Sequence, residues 1–252
     1  QQGKQVIALV APSIVGQFGL KVTMAQIHEA FTKAGFADVI EVGVGADITS
    51  VKEAEEYLEK VPAKQGFMTS SCCPAFVRLI KTQLPEAADK ISDTPSPMIS
   101  CAQLIKQQYP YAVTVFVGPC IAKKVEGREH RQTINYVLTF EEAMCMLEGK
   151  DIKFAEMSGA EYDRDASKLG LCFPLTAGVT AAVKDTVAAM GGEVRSAHYA
   201  AGLDNCREAV KAAAEGKLDC SYLEGMACSN GCVDGPGTVD DFHITKVALA
   251  KY

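Results

Sequence analysis

Two runs of apolar, mostly β-branched residues constrain the fold of this chain more than anything else: Val6-Ile7-Ala8-Leu9-Val10 and Ala112-Val113-Thr114-Val115-Phe116-Val117. Neither has the strict alternation of a strand with one wet face, so both read as strands of a parallel sheet covered on each side by helices. The segments between them carry helical patterns. Thr23 and Gln26 form a capping box, Ile27, Phe31 and Ala34 follow at helical spacing, and Gly35 ends the run. A second strand, Val39-Ile40-Glu41-Val42, leads to Asp47 and a helix with Val51, Ala54 and Leu58 on one face. Gly66-Phe67-Met68 runs into a Ser-Cys-Cys-Pro turn, and Pro74 suits the first turn of a helix bearing Val77, Ile80 and Leu84. Thr139 and Glu142 cap a further helix, after which a helix is expected at 176–190, a strand at 194–199 and a helix at 203–214.

Strands alternating with helices predict an α/β fold with mainly parallel sheets flanked by helices. The 252 residues contain no low-complexity linker, so the chain reads as one domain, 1–252, built from two interleaved lobes. Their approximate division falls near 110–140, and the active site is expected at the lobe interface. The cysteine turns after Met68 and after Val117 both follow strands, and open α/β sheets bind ligands at the carboxyl ends of strands.

Charge and composition remove several classes of function. With 25 Lys and Arg against 31 Asp and Glu, the net charge of −6 lacks the basic footprint of a nucleic-acid binder. No apolar run approaches the roughly 18 residues of a membrane span, and no leader opens the sequence; a soluble, cytoplasmic protein is expected. Ten cysteines are too few for a disulfide scaffold, and a chain of this length buries enough core to do without one.

Five of the ten differ from the rest in their surroundings. Cys101, Cys145, Cys172, Cys206 and Cys220 lie in apolar or helical patterns, where a free thiol acts as a small hydrophobe. Cys72, Cys73, Cys120, Cys228 and Cys232 are flanked by Pro, Gly or Ser, which let backbone approach a bulky inorganic core. Adjacent cysteines point in different directions, so one of Cys72 and Cys73 is left over while four thiolates from three segments remain. Four suit a tetrahedral zinc or an iron–sulfur cube, with unliganded thiols as the third reading. The paired C-x-x-C knuckles of structural zinc are missing.

The three segments together resemble the three signature motifs of the iron-only ([FeFe]) hydrogenase catalytic domain. They are Thr69-Ser70-Ser71-Cys72-Cys73-Pro74-Ala75-Phe76, Gly118-Pro119-Cys120-Ile121-Ala122-Lys123-Lys124-Val125-Glu126, and the stretch from Glu224-Gly225-Met226-Ala227-Cys228 through Cys232-Val233-Asp234-Gly235. All occur in the family's order, and the likeness extends over nearly the whole chain. It implies reversible interconversion of protons and electrons with dihydrogen at an H-cluster: a [4Fe-4S] cube joined through one cysteine to a two-iron subsite with CO, CN and a bridging azadithiolate. Position by position, Cys73, Cys120, Cys228 and Cys232 match the cube's ligands, with Cys232 as the bridge, and Cys72 matches the free proton-passing thiol. Lys123 and Ser13 match donors to the two cyanides, with Pro12 beside Ser13. Met226 and Phe173 match apolar pocket walls, and Pro97 and Met98 fall in the segment lining the same pocket. Glu53, Ser92 and Glu56 match the relay of surface carboxylate, serine and second carboxylate that ends at the thiol. Ser50 with Glu53 also reads as a capping box, Lys123 as a surface lysine and Ser13 as a turn hydroxyl.

The sequence departs from the best-known pattern at Gly118, where well-studied members carry methionine, at Met98 in place of glutamine, and at Gly235-Pro236-Gly237 in place of three glycines. No cysteine precedes Cys72, so no N-terminal ferredoxin-like domain is expected. Electrons then enter the cube directly or through a ferredoxin or an iron–sulfur electron-transfer subunit, and maturation proteins supply the two-iron subsite. Two other functions share these motifs: a slow dihydrogen-sensing module, and an iron–sulfur assembly factor lacking the two-iron subsite. Retention of Cys72 favours catalysis over sensing.

Overall fold

The computed structural model describes residues 4–252 apart from 62, 160–161 and 163–165. Its first stretch runs β1 (Val6–Val10), α1 (Met24–Lys33), β2 (Asp38–Glu41), α2 (Gly43–Lys60), β3 (Met68–Thr69) and α3 (Pro74–Gln83). It continues with α4 (Pro97–Gln108), β4 (Val113–Val117), α5 (Ala122–Glu129), β5 (Tyr136–Leu138) and α6 (Phe140–Glu148). The remainder is α7 (Lys168–Cys172), α8 (Gly178–Ala189), β6 (Ala197–Ala201), α9 (Leu203–Ala214), β7 (Tyr222–Met226) and α10 (Phe242–Lys251).

The strands form two parallel sheets, in the orders β2-β1-β4-β5 and β3-β7-β6. In the first, Ile7 stands opposite Asp38 and Thr114 on its two sides, and Ala8, Leu9 and Val10 are fully buried. This is the two-sided burial expected from their unbroken apolar run. The second sheet draws its strands from far apart: Met68 and Thr69 of β3 pair with Tyr222 and Leu223 of β7. β3 thus sits in sequence among strands of one sheet and in space within the other, which is how the lobes interleave. Alternation along β7 sends Leu223 into a core with Phe76, Ile80 and Val210, and Tyr222 into another with Tyr57, Met68 and Val183. α2 packs against α4, α7 and α8 and so bridges the lobes. No helix among the described residues is long and apolar enough to cross a membrane.

Both expected capping boxes form, Thr23 with Gln26 and Thr139 with Glu142. Other boundaries moved. The helix expected after Asp47 starts at Gly43, so Ser50 is mid-helix, its Oγ donates to Ala46 O at 2.9 Å, and no Ser50–Glu53 capping box exists. The strand expected at 194–199 is Ala197–Ala201. Central β7 has no counterpart in the sequence reading, because Glu224 and Gly225 are poor strand formers. Tertiary contacts overrule that preference: buried Glu224 accepts hydrogen bonds from Ala177 N (2.8 Å) and Thr180 N (2.7 Å) and so caps α8.

Candidate metal centre

Four strand ends deliver Ser13, the five clustered cysteines and Lys123, all at the carboxyl edge of parallel sheets. β1 ends in a single 3₁₀ turn, Pro12–Ile14, that holds Ser13 wholly buried with its Oγ lacking any hydrogen-bond partner. β3 leads to Cys72 and Cys73; Cys73 has the extended backbone of a helix N-cap, and Pro74 opens α3. β4 leads through Gly118-Pro119 to Cys120, and Lys123 follows in the first turn of α5. β7 leads to the turn carrying Cys228 and Cys232, where Gly231 adopts a left-handed φ of 81° and Cys232 N donates to Pro174 O at 2.8 Å.

These ends enclose a cavity of about 80 Å³. Its lining includes Pro12, Ser13, Cys72, Cys73, Cys120, Cys232 and Lys123. Pro97, Met98, Phe173 and Met226 close it with apolar surface, and Met98 and Met226 are almost fully buried. Cys228 lies outside the cavity, yet its thiol feels the charges of Cys120 and Cys73. Cys232 in turn feels Cys73, Cys120 and Cys228, so the four thiols surround one region. Among the described residues no three His, Cys, Asp or Glu are grouped closely enough for a single metal ion. Burial is the main cause that pushes Cys228 up to about 11 and Cys232 well above the usual thiol range. Burial thus disfavours the free thiolates, and a metal that binds them would release their protons.

The buried Lys123 ammonium donates to Glu126 Oε2 (2.6 Å), Ser96 Oγ (2.9 Å) and Cys72 O (3.2 Å). Burial opposes its charge, but Glu126 more than compensates and raises it above the ordinary lysine value. An orphaned serine hydroxyl and a fixed cation, at a cavity otherwise lined by apolar groups and thiols, fit a ligand whose periphery is anionic.

The family model described as the iron only hydrogenase large subunit, C-terminal domain, matches residues 4–236. The chain belongs to that family. Iron hydrogenase 1 of Clostridium pasteurianum is 28% identical, over 98% of this chain and 53% of its own length. The periplasmic [Fe] hydrogenase large subunit of Nitratidesulfovibrio vulgaris is 28% identical over 92% of this chain and 68% of its own length. A cytosolic Fe-S cluster assembly factor, NAR1 of Kluyveromyces lactis, is also similar, at 28% identity over 52% of this chain. The chain spans about half the length of the first curated relatives it matches. A variant of the [FeFe]-hydrogenase HydA1 from Chlamydomonas reinhardtii shares the fold, with a TM-score of 0.82 at 21% identity over 98% of this chain and 84% of that one.

Within this hydrogenase-family domain, the two glutamates of α2 take the reverse order to that read from the sequence. Glu53, matched to the surface carboxylate, is completely buried, and burial pushes its carboxyl up to about 8, with neighbouring Glu56 the next cause. Glu53 is also the charge that Cys72 feels most. Glu56, matched to the inner carboxylate, lies at the rim. It accepts from Ser92 Oγ (2.6 Å), Thr94 Oγ1 (2.9 Å), Asp93 N (2.9 Å) and Lys60 Nζ (2.6 Å). Burial would raise Glu56, but these donors together hold it below the ordinary carboxylate value. The reason is the face that α2 buries: Ala46, Thr49, Glu53 and Tyr57 turn inward, while Val51 and Leu58 of the expected apolar face are exposed.

The departure at Gly118 also has a structural partner. A Cβ placed there would meet two ring carbons of Phe116 at 2.5 Å, and Phe116 lines the cavity. Residues two apart on a strand share a face, so that pair was open to discovery from spacing alone. Glu126, one turn after Lys123, carried the same kind of signal. Lys60, four residues after Glu56 on α2, carried it too, whereas Tyr222 reaches the site from a distant segment and carried none.

Proposed function

We propose that this domain is the catalytic unit of a hydrogenase, interconverting dihydrogen with two protons and two electrons. The observation that carries this reading is Cys72: a half-buried thiol beside the converging cysteines, on which the fully buried carboxyl of Glu53 acts more strongly than any other charge. Cys73, Cys120, Cys228 and Cys232 would hold a [4Fe-4S] cube, with Cys232 shared with a two-iron subsite seated in the cavity. When bound, that subsite supplies the open metal position and the basic amine at which dihydrogen is split or formed.

The protein's own residues do the rest. Ser13 would donate to the anionic periphery of the group, Lys123 would turn its longest bond, that to Cys72 O, toward the same periphery, and Glu126 and Ser96 fix the lysine's direction. Pro12, Pro97, Met98, Phe173 and Met226 keep water from the reacting side. Cys72 gives or takes a proton at its Sγ, and Glu53 exchanges it next; a carboxyl poised near neutrality serves both directions. Ser92 and Glu56 carry the path to the rim, where Lys60 meets exposed Asp93 at 2.7 Å. Electrons would arrive through a ferredoxin or an iron–sulfur electron-transfer subunit, and maturation proteins would install the subsite. A reducing compartment such as the cytoplasm suits ten free cysteines.

The similarity to NAR1 proteins favours a second reading, an iron–sulfur assembly factor without the two-iron subsite. Infrared spectra after co-expression with the maturases separate the two. Bands of metal-bound carbon monoxide and cyanide are expected, and their absence from a chain that holds four irons supports the assembly factor instead. Cys72→Ala is expected to keep those bands and lose at least about 100-fold in turnover. Full turnover in that variant would sink the catalytic reading.

A further inference from the structure

Two buried polar side chains lack hydrogen-bond partners at the innermost step of the proposed proton path. The Tyr222 hydroxyl and both carboxyl oxygens of Glu53 are closed to solvent, and none makes a hydrogen bond of ordinary geometry. Unpaired groups of this kind are costly, and most folded proteins avoid them.

The two residues face one another. Tyr222 points to the α2 side of the second sheet, where its ring meets Tyr57 edge-on with centroids 6.2 Å apart and planes at 76°. Glu53 lies one helical turn before Tyr57 on the same buried face of α2, and Cys72 packs against the same cluster. Tyr57 is already engaged, since its hydroxyl donates to Ser221 Oγ at 2.8 Å. Around Glu53, Glu56 on its own helix and Glu224 on β7 oppose a negative charge, and Cys72 after β3 competes with it. The Ser71 backbone N–H and the Tyr222 hydroxyl favour that charge.

We propose that Tyr222 is a positioning residue for Glu53: its hydroxyl donates to the carboxylate when Glu53 gives up its proton, and holds that carboxylate turned toward Cys72. The hydrogen bond closes on ionisation and opens on protonation, so it adjusts how readily Glu53 releases a proton without itself losing one. The phenol of Tyr222 stays protonated throughout, because burial and the charge of Glu53 push it well above the ordinary tyrosine value. No signature motif contains Tyr222, and the role requires a hydroxyl at the start of β7 where an apolar residue would pack equally well.

This inference rests on the relay reading above, but its test does not need turnover. The carboxyl C=O stretch of Glu53 is isolated in the purified chain as the infrared difference from Glu53→Gln, and followed against pH. Tyr222→Phe is expected to raise the midpoint by about one pH unit, and Tyr57→Phe to leave it in place. Site-specific 3-fluorotyrosine at position 222, a stronger donor, is expected to lower the midpoint, and it tests the same point should the phenylalanine variant not fold. A midpoint indifferent to both changes at 222, or one that Tyr57→Phe moves equally, overturns the proposal. Shifted midpoints in a chain with no hydrogenase turnover would uphold Tyr222 and sink the relay; unshifted midpoints in an active enzyme would do the opposite.

Discussion

One turn of α2 separates two glutamates whose surroundings could hardly differ more. Glu56 at the rim is saturated by donors from Lys60, Ser92, Asp93 and Thr94, and is held below the usual carboxylate value. Glu53 in the interior has no closed hydrogen bond and is pushed up to about 8. Chemical identity therefore says little about role; solvation and donor count decide it. A saturated carboxylate is a stable anchor that accepts a proton reluctantly, whereas a deprived one exchanges protons near neutral pH. The same division runs through the rest of the site. Its interior is dry, close-packed and intolerant of added atoms, while its rim is paired, wetter and forgiving.

The strongest attack on that contrast is to remove the interior carboxyl. Glu53→Gln is expected to reduce turnover of the loaded enzyme by about 100-fold or more, and Glu56→Gln by clearly less, because Ser92 and Thr94 remain at the rim. Equal losses would show that position along the path matters and solvation does not. Stability should move the other way. The folded value of Glu53 is above its unfolded one, so the folded state binds more protons between about pH 4.5 and pH 8. Its contribution is thus intact below that window and is lost as pH rises through it. Glu53→Gln should therefore gain on the order of 2–4 kcal/mol over the parent at pH 8 and almost nothing at pH 4, read from urea unfolding. A gap that is constant with pH would mean that Glu53 is not the buried, protonated group described.

Packing supplies the next effect in size. Gly118→Met restores the residue found in well-studied members, but its Cβ would overlap the Phe116 ring. A loss of roughly 1–3 kcal/mol in unfolding free energy is expected. Adding Phe116→Ala should recover much of it, since the two positions share one space. Additive losses in the double variant would show that the ring and the missing side chain are independent.

The ease with which each part could be read from sequence follows the same division. The unbroken apolar runs of β1 and β4 announce a two-sided core, and the capping boxes at Thr23 and Thr139 are complete within four residues, so these elements were legible. The cysteine turns were legible because Pro, Gly and Ser mark where backbone must bend around something. What failed depended on helical phase or distant contact. Nothing local says that α2 buries the face carrying Thr49, Glu53 and Tyr57 and exposes Val51 and Leu58, and that choice of face decides which glutamate lies inside. Central β7 contains Glu and Gly, and only the amides of Ala177 and Thr180 make its buried carboxylate tolerable. Tyr222 meets Glu53 across 169 positions of sequence, far beyond any periodic signal.

The mildest test belongs to the rim. Lys60 bonds Glu56 and Asp93 at 2.6 and 2.7 Å with about a quarter of its side chain exposed, so solvent weakens the pairing. Lys60→Met should cost about 0.5–1 kcal/mol at pH 7, near the upper end for partly exposed pairs. Glu56 is depressed in the folded state, so the stability it shares with Lys60 is present above the ordinary carboxylate value and disappears as pH falls through its lowered one. The gap between Lys60→Met and the parent should therefore close as pH falls below the ordinary carboxylate range; here the parent is the more stable of the pair, whereas beside Glu53→Gln it is the less stable and increasingly so as pH rises. Two carboxylates a single helical turn apart would then give stability differences of opposite slope. Slopes of the same sign would mean that the rim and the interior hold their charges in the same way, and the contrast between them would be lost.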